Sequence, residues 1–283
     1  MTPQTDRPDP EFLRAISAPI RGIFAGEVDK FKAPFVESEF RKIVRQSDLV
    51  SNDGLMDTLM FVVRKKDIIA LRPDVIDAIQ KLPLKPHAEL SALKTLYAIG
   101  GDADRAVVDD RFARRLYDAM KASDGVPDSP FLDNADRVGG AKTLAVLKSL
   151  LPDVTARQRE AEAKTPRDYT RVSALDQVRS SISGQIFTLT RKLTILSAPE
   201  PRRTMDLFQL CSGTAGPLHA WSYRELAGHP SQGRIDVLRR IDPQPIEALM
   251  LLRDMNAQLT PEETEILQKK AYPTPDWEAV LDK

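Results

Sequence analysis

Residues 175–196 read LDQVRSSISGQIFTLTRKLTIL, and the fold class turns on them. Leu175, Val178, Ile182, Ile186, Leu189, Leu193 and Leu196 return every three or four residues over about six turns, the period of a helix with one buried face. Roughly opposite that stripe stand Ser180, Gly184 and Thr188, small enough to let a second backbone approach. The pattern predicts the longest helix of the chain, near residues 174–197, central and packed on two sides.

Working outward, helical spacing recurs almost everywhere. Upstream, Leu144, Leu147 and Leu151 mark a helix that Pro152 closes, and Val108, Phe112, Leu116 and Met120 mark one ending near Ser123-Asp124-Gly125. Leu90, Leu93, Leu96 and Tyr97 form a face that stops at Gly100-Gly101. Val75, Ile76, Ile79 and Leu82 form another between Pro73 and Pro83. The best strand candidate, LMFVV at 59–63, continues the helical spacing of Leu55, Met56 and Leu59, and reads as helix. Downstream, Ser222-Tyr-Arg-Glu225 and Thr260-Pro-Glu-Glu263 both have capping-box spacing. Ile235, Leu238 and Ile241, then Ile246, Leu249 and Met250, supply two faces divided by Asp242-Pro243.

The reading is therefore all-α: an irregular multi-helix bundle or a helix-pair solenoid of about ten to twelve helices. No fixed repeat period is evident. Residues 1–11, with three prolines and three acids, read as a disordered lead-in. Residues 12–154 form an N-terminal helical part, and 155–171 (TARQREAEAKTPRDYTR) a polar linker or exposed helix. Residues 172–283 form a C-terminal helical part, with one continuous domain as the alternative.

Totals exclude several classes. The 283 residues carry 41 basic and 41 acidic side chains, so no global field draws the chain onto nucleic acid or an anionic membrane. No stretch approaches the roughly 18 to 20 apolar residues of a membrane span, the densest short run being 248–252. Cys211 is the single cysteine, which rules out an internal disulfide and a four-cysteine zinc site. A cytoplasmic, reducing setting without integral membrane contact is expected.

Motifs that carry chemistry each lack an obligatory part. Arg137-Val-Gly-Gly-Ala-Lys-Thr143 echoes a phosphate loop, but Ala141 stands where glycine is required and no strand precedes it. Asp102-Ala-Asp104 opens like a calcium loop, yet Val107 and Ala113 occupy the glycine and glutamate positions. Asp102, Asp104, Asp109 and Asp110 are better explained as acids at a helix N-terminus. Ser91-Ala-Leu-Lys94 has serine–lysine spacing without its companion motifs. The loop 212–217 is first of all a turn. Cys211, His219, Glu225 and His229 form the one grouping that could serve as a nucleophile or three-ligand metal site. Their gaps match no familiar zinc spacing, and no metal or cofactor is expected.

Charge is more informative than motif. Segment 41–72 holds seven basic residues against four acids, and segment 242–283 nine acids against four bases. Arg41, Lys42, Arg45, Arg64, Lys65 and Lys66, with the pairs Arg191-Lys192 and Arg202-Arg203, are candidates for binding an anion or nucleic acid. The first expectation is a non-catalytic interaction or assembly protein that meets a protein partner, or a second copy, through charged helical surfaces. Nucleic-acid binding for packaging or regulation is the alternative, and an enzyme built on the Cys211 grouping is the third reading.

Overall fold

The computed structural model describes residues 7–17, 28–127, 130–164, 168–213 and 218–270. Among them are fifteen α-helices and two short 3-10 turns, with no strand, so the all-α class holds and the count exceeds the ten to twelve expected. The surplus comes from single-turn helices such as Ser47–Val50 and Ala135–Val138, too short to show a period. No helix is long and apolar enough to cross a membrane among the described residues.

In chain order the helices are α1 (Pro10–Ser17), α2 (Ala33–Ile43), α3 (Ser47–Val50), α4 (Asp53–Lys65) and α5 (Arg72–Lys81). There follow α6 (Pro86–Ile99), α7 (Asp102–Ala122), α8 (Ala135–Val138), α9 (Ala141–Ala163) and α10 (Tyr169–Ser197). The last five are α11 (Arg202–Ser212), α12 (His219–Ala227), α13 (Gln232–Arg239), α14 (Ile246–Asp254) and α15 (Pro261–Lys270). Contacts divide the chain into two compact units, Met1–Leu189 and Thr190–Lys283, so the long helix α10 passes through the division.

In the first unit α6 packs against α4, α5, α7 and α8, and nine of its fourteen residues are buried. It is the most enclosed helix there, because Ala88, Ala92 and Ser91 are small enough for neighbours to close around Leu90, Leu93 and Leu96. Asp53, at the start of α4, accepts a hydrogen bond from the Ala88 N–H at 2.7 Å and so caps α6 from a neighbouring helix. The second unit has its own core, in which Leu207, Phe208 and Cys211 of α11 meet Trp221, Tyr223 and Leu226 of α12 and Leu249, Leu251 and Leu252 of α14.

Element ends follow local chemistry where the caps are side chains. Thr260 and Glu263 form the expected capping box: the Thr260 N–H reaches Glu263 Oε2 at 2.7 Å and the Glu263 N–H reaches Thr260 Oγ1 at 3.1 Å. Ser222 does not cap. It lies inside α12 and its hydroxyl donates to the His219 carbonyl at 2.8 Å, since the helix starts a turn earlier than its spacing suggested. Pro152 does not close a helix either, because α9 runs through it to Ala163, and Thr155 donates to the Leu151 carbonyl at 2.8 Å. An interior proline removes one backbone donor and crowds the carbonyl four residues earlier, a cost offset here by the burial of Leu147, Leu150 and Val154 around it. Segment 155–171 is thus helical to Ala163 and again from Tyr169, residues 165–167 lying outside the described residues.

At the N-terminal end, Asp9 accepts from the backbone of Glu11 and Phe12 and caps α1, while residues 1–6 of the expected lead-in lie outside the described residues. So do residues 214–217 of the loop after α11, and residues 271–283, which hold part of the acidic C-terminal segment.

Candidate functional site

The phosphate-loop echo is resolved by an aspartate. Asp109, projecting from α7, accepts from the backbone N–H groups of Gly140 (2.7 Å), Lys142 (2.8 Å) and Thr143 (3.0 Å) and from the Thr143 hydroxyl (2.6 Å). These are the free donors at the start of α9, and the carboxylate occupies the place a bound anion would take. A Cβ on Gly140 would come within 2.8 Å of Asp109 Oδ2, so glycine is needed here for close approach. Beside it, Asp110 takes Lys142 Nζ at 2.6 Å and Arg114 at 2.6 Å, and these cations hold its carboxyl below the ordinary aspartate range.

Asp104 caps its own helix and ties it to the start of α5. It accepts from the Gly101 N–H at 2.8 Å and takes Arg72 on both oxygens at 2.7 and 2.9 Å. The Arg72 hydrogen bonds outweigh the opposing effect of burial and lower its pKa. The acids that open like a calcium loop are therefore helix-terminus acids.

Cys211, His219, Glu225 and His229 all belong to the second unit, but they do not make a metal centre. Among the described residues no three His, Cys, Asp or Glu are placed together to hold an ion. Cys211 is buried, donates to the Phe208 carbonyl at 3.3 Å, and has its thiol pushed up to about 12, by burial first and by the charge of Glu247 as well. A neutral thiol is a poor nucleophile. His229 and Glu225 instead present their backbone carbonyls to buried Arg234, at 3.0 and 2.7 Å, and Arg234 Nε lies 3.4 Å from Glu200. Glu200 feels burial most, yet its bonds to Thr204 and Arg234 together hold it below its usual value.

The basic candidates are largely engaged inside the protein. Arg41 pairs with Asp74 (3.2 Å), Lys42 with buried Glu39 (2.6 Å), and Lys65 with Asp29 (3.0 Å), while Lys66 donates to the Asp29 carbonyl (3.4 Å). Arg64 is buried, its guanidinium 5.4 Å from the Phe61 ring centre and 3.5 Å from Thr95 Oγ1. Lys192 is buried over Trp221, Arg202 lies 3.5 Å from Asp206, and Arg203 donates to the Ala198 carbonyl at 2.9 Å. Arg45 and Arg191 are exposed. Four of the ten, Arg41, Lys42, Lys65 and Arg202, thus lie against carboxylates that sequence proximity does not reveal.

Two features stand out that residue patterns did not mark as sites. One is an open face of α10. Ser173, Gln177, Ser180, Ser183 and Gly184 are all exposed along it, and a Cβ placed on Gly184 would meet nothing within 4 Å. Tyr169 and Phe187 stand on it at 72% and 69% exposure, 18 residues apart, which is about five turns or about 27 Å on one side of a helix. The second backbone expected against Gly184 is therefore missing among the described residues; of the small trio only Thr188 is buried.

The other is a cleft of about 530 Å³ in the first unit, bordered by α6, α7 and the chain beyond α7. Its apolar wall includes Leu84, Pro86, Ala119, Ala122 and Phe131, and its polar groups are Glu89, Arg115, Asp118 and Ser123. The turn that closes α7 and leads toward Pro127 needs left-handed backbone at Asp124 (φ 53°) and Gly125 (φ 87°). Buried Glu89 takes the Nε of Arg111 at 2.7 Å and the Nε of Arg115 at 2.8 Å. The signal available in sequence was the i, i+4 spacing of Arg111 and Arg115; the partner 22 residues from Arg111 was not legible.

Fold and sites together define an all-α protein with one cleft carrying a fixed ion-pair cluster and one open helix face. Against known proteins, the chain matches no family model, no curated protein and no solved structure.

Proposed function

We propose that the chain is a non-catalytic α-helical interaction protein whose docking surface is the open face of α10, and that a second copy is the partner to test first. The supporting observation is Phe187, 69% exposed beside Ser183 and Gly184 on a face with space for another helix. Burying such a ring contributes about 2 kcal/mol, and small neighbours let a partner backbone come close enough to cover it. Relative to the sequence reading, the interaction surface moves from charged segments to this face. Arg41, Lys42 and Lys65 already hold internal carboxylates, so recruiting them for nucleic acid would first require breaking those pairs. The Cys211 thiol, held neutral by burial, counts against the enzymatic alternative.

Sedimentation velocity over a range of concentrations, at low and high salt, tests the reading. The expected outcome is reversible association that persists at high salt, because Phe187 and its small neighbours Ser183 and Gly184 are uncharged, and that Phe187→Ser weakens severalfold without lowering thermal stability. A strict monomer at every concentration and salt, or association indifferent to Phe187→Ser, overturns it.

A further inference from the structure

The cleft beside α7 carries an ion cluster that is unevenly paired. One buried carboxylate, Glu89, is shared by two guanidinium groups, Arg111 and Arg115, so neither arginine has a carboxylate to itself. Both arginines spend only Nε on Glu89. Among the described residues the terminal nitrogens of Arg115 make no hydrogen bond to the protein, although that side chain borders the cleft and is 41% exposed. Glu89 therefore anchors the guanidinium by one edge and leaves its terminal donors for something else. Anchoring matters because a fixed arginine loses less freedom when it takes a ligand.

From this we infer a binding site for an amphipathic monocarboxylate. Its acid head takes the terminal nitrogens of Arg115 in a charge-assisted contact, and its hydrocarbon body lies on Leu84, Pro86, Ala119, Ala122 and Phe131. A cleft of about 530 Å³ falls within the usual range for small-molecule sites and has their make-up, mostly apolar with a few placed polar groups. The head is a carboxylate and not a phosphate for a reason of charge. Asp118, one turn along α7, also borders the cleft and forms no ion pair with Arg115 among the described residues. A dianion would bring two negative charges into a cleft where Asp118 already balances the second arginine, whereas a monocarboxylate brings one.

Isothermal titration of the full chain with decanoate tests the site, with decanol, decyl phosphate and propionate as comparison probes. Decanoate is expected to bind, decanol and propionate more weakly by about tenfold or more, the loss of a charged hydrogen bond or of the apolar body respectively. Arg115→Gln is expected to reduce decanoate affinity by about tenfold while leaving decanol unchanged. Because Arg115 also neutralises buried Glu89, Ala119→Phe provides a second variant that fills the cleft and leaves the ion pairs alone; it abolishes binding of every probe. Asp118→Asn is expected to raise decyl phosphate affinity toward that of decanoate. No heat with decanoate, decanoate binding unchanged in Ala119→Phe, or equal affinities for decanoate and decanol would overturn the assignment.

Discussion

Asp109 shows how much of this structure depends on single carboxylates placed across helices. It satisfies three backbone donors and one hydroxyl at the start of α9, of which the two on Thr143 would otherwise be buried without partners. Asp109→Ala is therefore expected to cost about 2 kcal/mol or more, read as a lower urea midpoint, whereas an ordinary surface aspartate would cost less than about 0.5 kcal/mol. Asp104 gives a pH signature. Its folded pKa is lowered, chiefly by Arg72, so the stability it contributes is fully present above the unfolded value near 4 and is lost as pH falls through the depressed folded value. Thermal melts from pH 5 downward should show wild type losing more stability than Asp104→Asn, the two converging in acid; parallel curves would contradict the pairing. For Cys211, burial and a raised pKa predict that iodoacetamide labels the thiol only when the protein unfolds. Rapid labelling of the native protein at neutral pH would restore the nucleophile reading.

Among the elements, α10 carries two unlike faces. Leu175, Ile182 and Leu189 are fully buried at seven-residue intervals, while Val178 and Ile186 on the same stripe are only partly covered. Ile182→Ala should cost about 2 to 5 kcal/mol through the cavity it leaves, and Phe187→Ser less than about 0.5 kcal/mol, both measured by chemical denaturation. A large loss from Phe187→Ser would mean that its ring is already packed. Periodicity located the apolar stripe of this helix because a buried face must be apolar whatever it packs on. It could not say whether the small-residue face is covered, since Ser and Gly are acceptable against a neighbouring backbone and in water alike. Pro152 and Ser222 failed as helix boundaries for a related reason: both are boundary-forming residues by local preference, and packing on their helices outweighs that preference.

For the whole molecule, the two units have separate buried cores, one around α6 and one around α11, α12 and α14. Calorimetry is expected to resolve two transitions, Leu93→Ala lowering one and Leu251→Ala the other, each residue being fully buried in its own unit. Equal shifts of a single transition by both variants would show that the chain unfolds as one. The contact division at Leu189 falls inside an unbroken helix, where no loop-forming residue marks it, while the polar stretch 155–171, read as linker or exposed helix, is helical up to Ala163 and from Tyr169. By itself the sequence determined the all-α class, most helix positions and the Thr260–Glu263 cap, because these rest on periods and spacings of a few residues. Tertiary structure alone decided that Asp109 fills the anion-like start of α9, that Arg41, Lys42 and Lys65 are paired with carboxylates, that Glu89 gathers Arg111 and Arg115 at a cleft, and that one side of α10 stays open. Each joins residues brought together by packing across helices, or depends on what a face packs against, and neither leaves a fixed spacing in the chain.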